Sequence, residues 1–418
     1  MDKIKINGKS DLYGSIKISG AKNSALPILV SSLLSEKDLF IKNLPDLEDI
    51  KNMKKLLNKF NVKISSTSEV TIINSKDIIN NSADYDIVRK MRASVLVLGP
   101  LLSRFGEAKI SLPGGCAIGT RPIDIHLEGL SKLGCKFKIE DGFVIGKVNK
   151  MLNGNYIKLP FPSVGATENL VMASVLANGK TTIDNAAKEP EVQDLINCLK
   201  SMGAKISGEG SETLVIEGVK TLNEAKHEII SDRIVAGTFI IAAIMLNKEF
   251  MITKVCVKHM ESLINLLIEM GANLIINNDT IKVLPSKQIN GTTIETAPYP
   301  GFPTDLQAQL MALMTIANGD SKIRETIFEN RFMHVPELNR LGANIKVKKD
   351  IAFIKGNRTY KAAQVMASDL RASVSLVLAG LCAEGVTTVN RVYHLDRGYE
   401  KIEQLLEKNG PIIIREKM

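Results

Sequence analysis

A short phrase recurs six times along this chain, and its spacing constrains the fold more than any single residue does. Each copy is an apolar helical pattern that ends at one glycine or asparagine and is followed by a β-rich run. The marker residues lie 73, 69, 68, 71 and 68 residues apart, at Asn61, Gly134, Gly203, Gly271, Gly342 and Gly410. Self-similarity at a fixed period indicates one supersecondary unit that is repeated. The sequence therefore predicts six repeats, each with a helix that ends in a left-handed residue.

The repeats contain two kinds of helix. Before Asn61, the residues Ile50, Met53 and Leu57 share one stripe and lysines lie off it, which predicts a surface helix with one packed face. A second helix in each repeat is apolar nearly all round, as in Ile234 to Leu246, and such helices lie in a core. That segment has only thirteen residues, too few to cross a bilayer. We expect an α/β protein of the inside-out barrel type, with helices inside and sheets outside.

Length sets the expected domain organisation. A chain of 418 residues is too long for one hydrophobic core, and six repeats divide naturally into two domains of three. The first domain is expected to span residues 22–229 and to carry a glycine-rich loop around Cys116. The second is expected to combine residues 1–21 with residues 230–418, and the active site is expected in the cleft between the two.

Composition excludes several classes of protein. The five cysteines are odd in number and lack C-x-x-C spacing, which argues against disulfides and against a metal site. No signal peptide opens the chain, so we expect a cytoplasmic protein without membrane contact, a monomer or weak homo-oligomer. The net charge of +9 favours anionic partners, either nucleic acid or phosphorylated metabolites. No cofactor motif is present, and with no tryptophan a stacking platform for single strands is poorly supported.

The inner helices open with polar residues. They begin near Lys22, Arg92, Thr167, Arg233, Asp305 and Leu370. Helix N-termini carry unpaired N–H groups and partial positive charge, so converging ends would build an anion pocket. Ordinary capping by Ser163, Thr304, Asp305 and Asp369 is the simpler explanation for some of them. It does not explain Lys22, Arg92 and Arg371, because cations oppose the helix dipole there.

A glycine-rich loop holds the most informative cysteine. Leu112 to Pro122 contains three glycines and two prolines, with Cys116 at its centre and Arg121 five residues on. The other cysteines, Cys135, Cys198, Cys256 and Cys382, lie in apolar patterns that predict small core residues. An exposed thiol near arginine has a lowered pKa and real reactivity, so Cys116 is the candidate for chemistry.

These motifs resemble those of the UDP-N-acetylglucosamine 1-carboxyvinyltransferase family of enolpyruvyl transferases. The resemblance runs from residue 20 to about residue 400 and rests on five stretches: Lys22-Asn23, Pro113 to Pro122, Ser163 to Asn169, Pro303 to Asp305 and Asp369 to Arg371. It implies the inside-out α/β barrel. It also implies transfer of the enolpyruvyl group of phosphoenolpyruvate to the 3′-hydroxyl of UDP-N-acetylglucosamine with release of phosphate, the first step of peptidoglycan precursor synthesis.

The resemblance also implies residue roles. Cys116 is expected to protonate C3 of phosphoenolpyruvate, and Asp305 to act as the base or to orient the sugar hydroxyl. Lys22, Arg121 and Arg397 are expected to hold the phosphate, Arg371 and Arg397 the carboxylate, and Asn23 the tetrahedral intermediate. The expected substrate contacts also include Arg92, Arg121, Pro122, Ile123, Asp124, Ile125, Ser163, Val164, Gly165, Thr304, Asp305, Ile327 and Asp369.

Two alternatives remain open from the sequence. A transferase that acts on shikimate 3-phosphate would share the fold and the basic cleft but lack the loop cysteine, so Cys116 argues against it. A nucleic-acid clamp would account for the net charge, and steep salt dependence of DNA binding would identify it. The thiol and Asp305 argue against that class, because binding to a phosphate backbone needs neither.

Overall fold

The computed structural model describes residues 2–83, 85–88, 91–112 and 123–417. The α-helices are α1 (Lys22–Ser31), α2 (Glu48–Lys59), α3 (Tyr85–Val88), α4 (Leu98–Phe105), α5 (Asp124–Lys132), α6 (Val164–Ser174), α7 (Pro190–Ser201), α8 (Arg233–Leu246), α9 (Glu261–Glu269), α10 (Gln307–Ile316), α11 (Val335–Arg340), α12 (Leu370–Cys382) and α13 (Ile402–Glu407). Short 3₁₀ helices cover Ser32–Leu34, Arg92–Val97, Val257–Met260, Thr304–Leu306 and Val392–Arg397.

The strands are short and alternate with these helices. They are β1 (Lys3–Asn7), β2 (Ser15–Lys17), β3 (Leu39–Lys42), β4 (Lys63–Ser66), β5 (Val70–Asn74), β6 (Ser82–Ala83), β7 (Glu107–Ser111), β8 (Cys135–Glu140), β9 (Phe143–Val148), β10 (Tyr156–Lys158), β11 (Lys180–Asp184), β12 (Lys205–Ser207), β13 (Thr213–Glu217), β14 (Ala225–Glu228), β15 (Phe250–Thr253), β16 (Asn273–Ile276), β17 (Thr280–Leu284), β18 (Thr293–Glu295), β19 (Ser321–Arg324), β20 (Ile345–Lys348), β21 (Ile351–Ile354), β22 (Gln364–Met366), β23 (Val386–Asn390) and β24 (Ile413–Glu416).

Across the described residues these strands form six four-stranded sheets that share one pattern. The orders are β14-β3-β5-β4, β6-β7-β9-β8, β10-β11-β13-β12, β2-β15-β17-β16, β18-β19-β21-β20 and β22-β23-β1-β24. In every sheet the first two strands are parallel and the remaining pairs are antiparallel. The repeat prediction is therefore confirmed.

The marker residues take the backbone conformation that the sequence predicts. Asn61 has φ 69°, and Gly203 and Gly410 have φ 100° and 116°. The remaining markers, Gly134, Gly271 and Gly342, also have positive φ. An L side chain is disfavoured in this region, whereas glycine enters it without cost and asparagine tolerates it. Each outer helix consequently ends at its marker and the chain turns into the next strand.

The two helix types separate by burial, as predicted. The inner helix α8 is buried from Ile234 to Met245, and α12 from Leu370 to Leu381. The outer helix α2 buries only one face, which includes Ile50, Met53 and Leu57. The inner helices therefore form the core and the sheets lie outside it, which confirms the inside-out arrangement. None of the helices in the described ranges is both long enough and apolar enough to span a membrane.

The described chain divides into two compact units, each with its own hydrophobic core. The central unit runs from Gly20 to Ile230, and the terminal unit joins the segment that ends at Ser19 to the segment that begins at Ser231. Strand β1 pairs with β23 and β24, and β2 pairs with β15. The N-terminal segment is thus built into sheets of the terminal unit, because two of its sheets would each lack a strand without it.

Candidate active site

In the terminal unit, the carboxylate of Asp305 is held between two arginines. Arg331 Nη2 donates to Oδ1 at 2.9 Å, and Arg371 Nη2 donates to Oδ2 at 2.7 Å. The arginine side chains are only 4% and 5% exposed, whereas that of Asp305 is 27% exposed. Charge-assisted bonds of this kind fix a carboxylate firmly and favour its ionised form. Asp305 therefore exposes the anionic edge of its carboxylate to solvent, and the two buried arginines behind it fix its orientation.

Arg371 keeps its charge although it is buried. Burial disfavours the guanidinium ion, but Asp305, Tyr399 and Asp232 outweigh that effect and raise the pKa of Arg371 above its ordinary value. Tyr399 is itself buried, and its hydroxyl lies 2.9 Å from Thr238 Oγ1. Arg371 is consequently a permanent cation, and the polar groups around it fix its place in the core.

Side-chain capping explains some of the polar helix starts and not others. Asp232 caps α8, Ser163 caps α6, and Asp369 Oδ1 accepts from the amides of Arg371 and Ala372 at 2.9 and 3.1 Å. Thr304 and Asp305 form no such cap, because their helix opens with a 3₁₀ turn. Thr304 Oγ1 instead donates to Glu325 Oε2 at 2.9 Å. The capping explanation is therefore wrong for Thr304 and Asp305 and correct for Ser163 and Asp369.

Arg397 ends the 3₁₀ helix Val392–Arg397 in the same unit and is half-buried. Burial, and next the charge of Arg397, lower the pKa of His394 within that helix. The preceding residue, Asp396, forms a two-pronged ion pair with Arg415, at 2.8 Å to Nη1 and 2.6 Å to Nη2. Bidentate pairs of this kind fix orientation as well as position. The last strand thus anchors the segment that carries Arg397.

In the central unit, Lys22 opens α1 as a buried cation. Its Nζ lies 3.0 Å from Oδ2 of Asp49, which is only 2% exposed and sits in the first turn of α2. This ion pair explains how a lysine is tolerated at a helix N-terminus, because Asp49 compensates the charge that the dipole opposes. Asn23 follows and is half-buried.

A second cluster of the central unit surrounds His126 on α5. Asn169 Oδ1 accepts from the amide of Gly99 at 2.7 Å, so its Nδ2 faces the carbonyl of Val95 at 3.0 Å and His126 Nδ1 at 3.1 Å. The imidazole must therefore accept at Nδ1, which requires a neutral ring. Burial, and next the charge of Arg92, lower the pKa of His126 to about 4.

This cluster gathers several of the expected nucleotide-sugar contacts. A Cβ placed on Gly165 would lie 3.3 Å from His126 Cε1, so only glycine leaves the ring in place without a shift. Asp124 and Ile125 open the same helix, exposed and half-buried respectively, and Ile123 is buried just before it. Ser163 and Val164 open α6 beside Gly165. Of the expected contacts, Gly165 thus lies against the neutral ring of His126, and the charge of Arg92 acts on it.

The predicted loop residues Cys116, Arg121 and Pro122 lie outside the described residues. The remaining cysteines are free thiols: Cys135 and Cys198 are buried as predicted, Cys256 is half-buried, and Cys382 is partly exposed as a residue although it packs against the core of the terminal unit. Burial raises the pKa of Cys135, Cys198 and Cys382 to about 12. Within the described ranges, no group of three or more histidine, cysteine or acidic residues is placed to hold a metal ion.

Sequence reasoning missed several residues that these clusters depend on. Arg331, Glu325 and Asp49 bond to predicted site residues, and His126 is close enough to Arg92 for that charge to lower its pKa, but none of the four opens an inner helix. Arg331 and Glu325 flank the predicted Ile327, and that proximity is the one signal that could have found them. Asp49 and His126 lie on outer helices, where the apolar pattern alone predicts surface or core. Only tertiary packing brings them to Lys22 and Arg92.

Comparisons with known proteins identify the family of this chain. Residues 6–406 match the family model of EPSP synthase (3-phosphoshikimate 1-carboxyvinyltransferase). The chain is 51% identical over 417 residues to the UDP-N-acetylglucosamine 1-carboxyvinyltransferase of Granulibacter bethesdensis, with 99% of each chain covered. It is 50% identical over 415 residues to the enzyme of the same name from Pelagibacter ubique, covering 99% of this chain and 100% of the relative.

Solved structures share the fold. The enolpyruvyl transferase NikO from Streptomyces tendae superposes with a TM-score of 0.91 at 24% identity, covering 99% of this chain and 98% of that one. EPSP synthase from Acinetobacter baumannii gives a TM-score of 0.79 at 17% identity with full coverage of both chains. These structural similarities show the fold alone, because the sequence identities are below 25%. The full-length relatives, which are about 50% identical, show which family of enolpyruvyl transferases the chain belongs to. The chain belongs to the enolpyruvyl transferases, and within them to the UDP-N-acetylglucosamine 1-carboxyvinyltransferase family.

Proposed function

We propose that this enzyme transfers the enolpyruvyl group of phosphoenolpyruvate to the 3′-hydroxyl of UDP-N-acetylglucosamine and releases phosphate. The observation that carries the proposal is the anionic edge of Asp305, held by Arg331 and Arg371, in a chain about half identical to full-length relatives of that name. An oriented carboxylate beside buried guanidinium groups suits a reaction in which a hydroxyl attacks an anionic substrate.

The reaction needs two opposite proton movements. The hydroxyl oxygen bonds to C2 of phosphoenolpyruvate and loses its proton while C3 gains one, which gives a tetrahedral ketal. The bond from C2 to the phosphate oxygen then breaks, C3 returns a proton, and the enol ether and free phosphate remain. One acid and one base are therefore required on different sides of the reacting carbon.

Asp305 is the proposed partner of the sugar hydroxyl. Oδ1 accepts a bond from Arg331 and Oδ2 accepts one from Arg371, and an ionised carboxylate can also accept a hydroxyl proton. The two arginines fix the orientation of the carboxylate, so it aligns the hydroxyl before it accepts the proton. Arg371 carries a permanent charge that suits the phosphoenolpyruvate carboxylate, and Arg397 is assigned to carboxylate and phosphate together.

The central unit is proposed to supply the remaining groups. Lys22 is assigned to the phosphate with Arg121, Asn23 to the tetrahedral intermediate, and Cys116 to proton delivery at C3. Arg92, Pro122 to Ile125 and Ser163 to Gly165 are assigned to the nucleotide. We propose that substrate contacts both units, with boundaries near residues 22–229 for the domain that carries the cysteine loop. Closure over the substrates would exclude water from the reactive ketal.

We propose the cellular role of the enzyme on the same basis. Peptidoglycan precursor synthesis would place the enzyme in the cytoplasm, acting as a monomer or weak oligomer without nucleic acid, cofactor or metal. Loss of activity would then disturb cell shape and division, and Cys116 would be the target of fosfomycin.

One assay separates this function from that of the related shikimate enzymes. Phosphate release from phosphoenolpyruvate is measured with UDP-N-acetylglucosamine and with shikimate 3-phosphate side by side. We expect release with the nucleotide sugar alone. Release with shikimate 3-phosphate alone would overturn the proposal in favour of the family-level match.

A further inference from the structure

Glu325 is a buried carboxylate that the roles above leave unused. It follows strand β19 and is 4% exposed. Its Oε1 accepts from Thr296 Oγ1 at 3.0 Å and from the amides of Ile327 and Phe328 at 2.9 and 3.1 Å. Its Oε2 accepts from Thr304 Oγ1 at 2.9 Å. A buried carboxylate is costly unless its oxygens are well satisfied, and here neutral donors provide four bonds.

Residues Glu325 to Arg331 form a loop, and both of its ends are bonded to the 3₁₀ turn Thr304–Leu306. Thr304 bonds to Glu325, which begins the loop, and Asp305 bonds to Arg331, which ends it. The guanidinium carbon of Arg331 also lies 5.4 Å from the ring centre of Phe328. Consecutive residues of the 3₁₀ turn thus hold both ends of a seven-residue loop, with Ile327 inside it.

We propose that Glu325 is a positioning residue for the nucleotide sugar, which it serves through Thr304 and the Ile327 amide. The inference rests on the proposed function. Glu325 sets the distance between the Asp305 turn and the Ile327 loop, and the family resemblance implies that Asp305 and Ile327 both line the nucleotide-sugar site. Phosphoenolpyruvate is assigned to other groups, so loss of Glu325 affects the two substrates unequally.

The variants exploit the geometry of the four bonds. Glu325→Ala removes all of them. Glu325→Gln retains an oxygen for the two amides and Thr296, and its NH₂ group donates to the Thr304 hydroxyl, which reverses that bond. Glu325→Asp shortens the side chain by one methylene, so it cannot reach the amides and Thr304 together. Glu295→Ala is the matched control, because this carboxylate is 55% exposed and pairs with Arg324, the neighbour of Glu325.

The experiment measures KM for each substrate, kcat and the Kd for UDP-N-acetylglucosamine by calorimetry. Loss of two or more bonds to a charged group predicts a rise of roughly tenfold or more in KM and Kd for the nucleotide sugar in Glu325→Ala. KM for phosphoenolpyruvate should stay within about twofold, and Glu325→Gln should recover most of the affinity. Glu295→Ala should match the unmodified enzyme.

The results that would overturn the positioning role differ from the result that would refute the proposed function. Equal rises in both KM values, or a lower melting temperature with unchanged KM values, would overturn the positioning role and leave a structural one. If Glu325→Ala does not fold, Glu325→Asp decides on the same ratio of the two KM values. An unmodified enzyme that binds no UDP-N-acetylglucosamine would instead refute the proposed function, independently of any variant.

Discussion

Arg371 Nη2 donates a hydrogen bond of 2.7 Å to Asp305 Oδ2, and the arginine side chain is only 5% exposed. The two residues come from different repeats, 66 positions apart in the chain. Their pairing places a permanent cation behind a partly exposed carboxylate. Lys22 and Asp49 form a second such pair, in which a buried partner holds a proposed substrate-binding group in place.

Asp305→Asn should leave nucleotide-sugar binding largely intact and lower kcat by roughly 10²–10⁴-fold. The amide keeps the shape of the carboxylate but cannot take a proton from the hydroxyl. The structure shows no helix cap at Asp305, so loss of a cap would not explain the effect. Calorimetric affinity and steady-state kinetics on one preparation check this. Near-native turnover would contradict a role for Asp305 in the proton transfer.

Lys22→Gln should raise KM for phosphoenolpyruvate by roughly 10–100-fold, since bonds to charged groups contribute about 1.5–3 kcal/mol each. Affinity for the nucleotide sugar should change far less. The control is Lys55→Gln on α2, because Lys55 is exposed on an outer helix. Initial rates at varied phosphoenolpyruvate give the comparison. Equal kinetics for the two variants would remove Lys22 from the phosphate site.

His126→Gln should flatten the dependence of stability on pH. Folding lowers the pKa of His126 from 6.5 to about 4, so the folded state binds its proton less readily than the unfolded chain does. That stabilisation is complete above pH 6.5 and is lost as the pH falls towards 4. Between pH 7 and 5 the unmodified protein should therefore lose about 2 kcal/mol more than the variant. Urea unfolding at both pH values measures this, and parallel losses would refute it.

Glu168→Gln should show the opposite dependence of stability on pH, because Glu168 makes the unmodified protein less stable as the pH rises. Burial first, and then the charges of Glu191 and Glu189, raise the pKa of Glu168 well above its ordinary value. The folded state thus holds a proton that the unfolded chain releases, and stability falls as the pH rises above 4.5. The free energy of unfolding of the variant, relative to that of the unmodified protein, should therefore increase between pH 5 and 8. A difference in unfolding free energy that is constant across this range would count against a protonated Glu168.

Cys116 should be the thiol that small anionic epoxides alkylate, and the reaction should be faster with UDP-N-acetylglucosamine present. Three of the other cysteines are poor competitors, because burial raises the pKa of Cys135, Cys198 and Cys382 to about 12. Cys116→Asp should retain turnover and resist the epoxide, whereas Cys116→Ser should be far weaker because an alcohol is a poor acid. Peptide mass mapping locates the label. A label on Cys256, or an inert Cys116, would contradict the assignment.

The repeat pattern was enough to predict the architecture. Marker residues such as Gly203 need positive φ, and apolar helices such as α8 need a core, whatever the tertiary details. The helix starts were less predictable. Arg92 and Thr304 open 3₁₀ turns before their α-helices, and α6 begins at Val164, ahead of the expected Thr167. Local sequence does not distinguish these tight turns from the helices that they precede.

The partners of the candidate site were beyond the reach of a single sequence. The sequence marks Lys22 as unusual but does not show that Asp49 neutralises it. It marks Asp305 as a candidate base but does not indicate Arg331, whose contact with it depends on how the loop from Glu325 folds back. Ion pairs of this kind join elements from different positions in the repeats. No periodic pattern encodes them, because they depend on the packing of one particular core.

The central claim is most directly tested by identifying the product. The purified enzyme is incubated with phosphoenolpyruvate and UDP-N-acetylglucosamine, and the nucleotide fraction is analysed by mass spectrometry and NMR while phosphate is measured in parallel. The account predicts an enolpyruvyl ether on the 3′-oxygen of the sugar, formed in equal amount with phosphate, and no product from shikimate 3-phosphate. Phosphate release without the sugar ether, or an enolpyruvyl group found only on shikimate 3-phosphate, would contradict it.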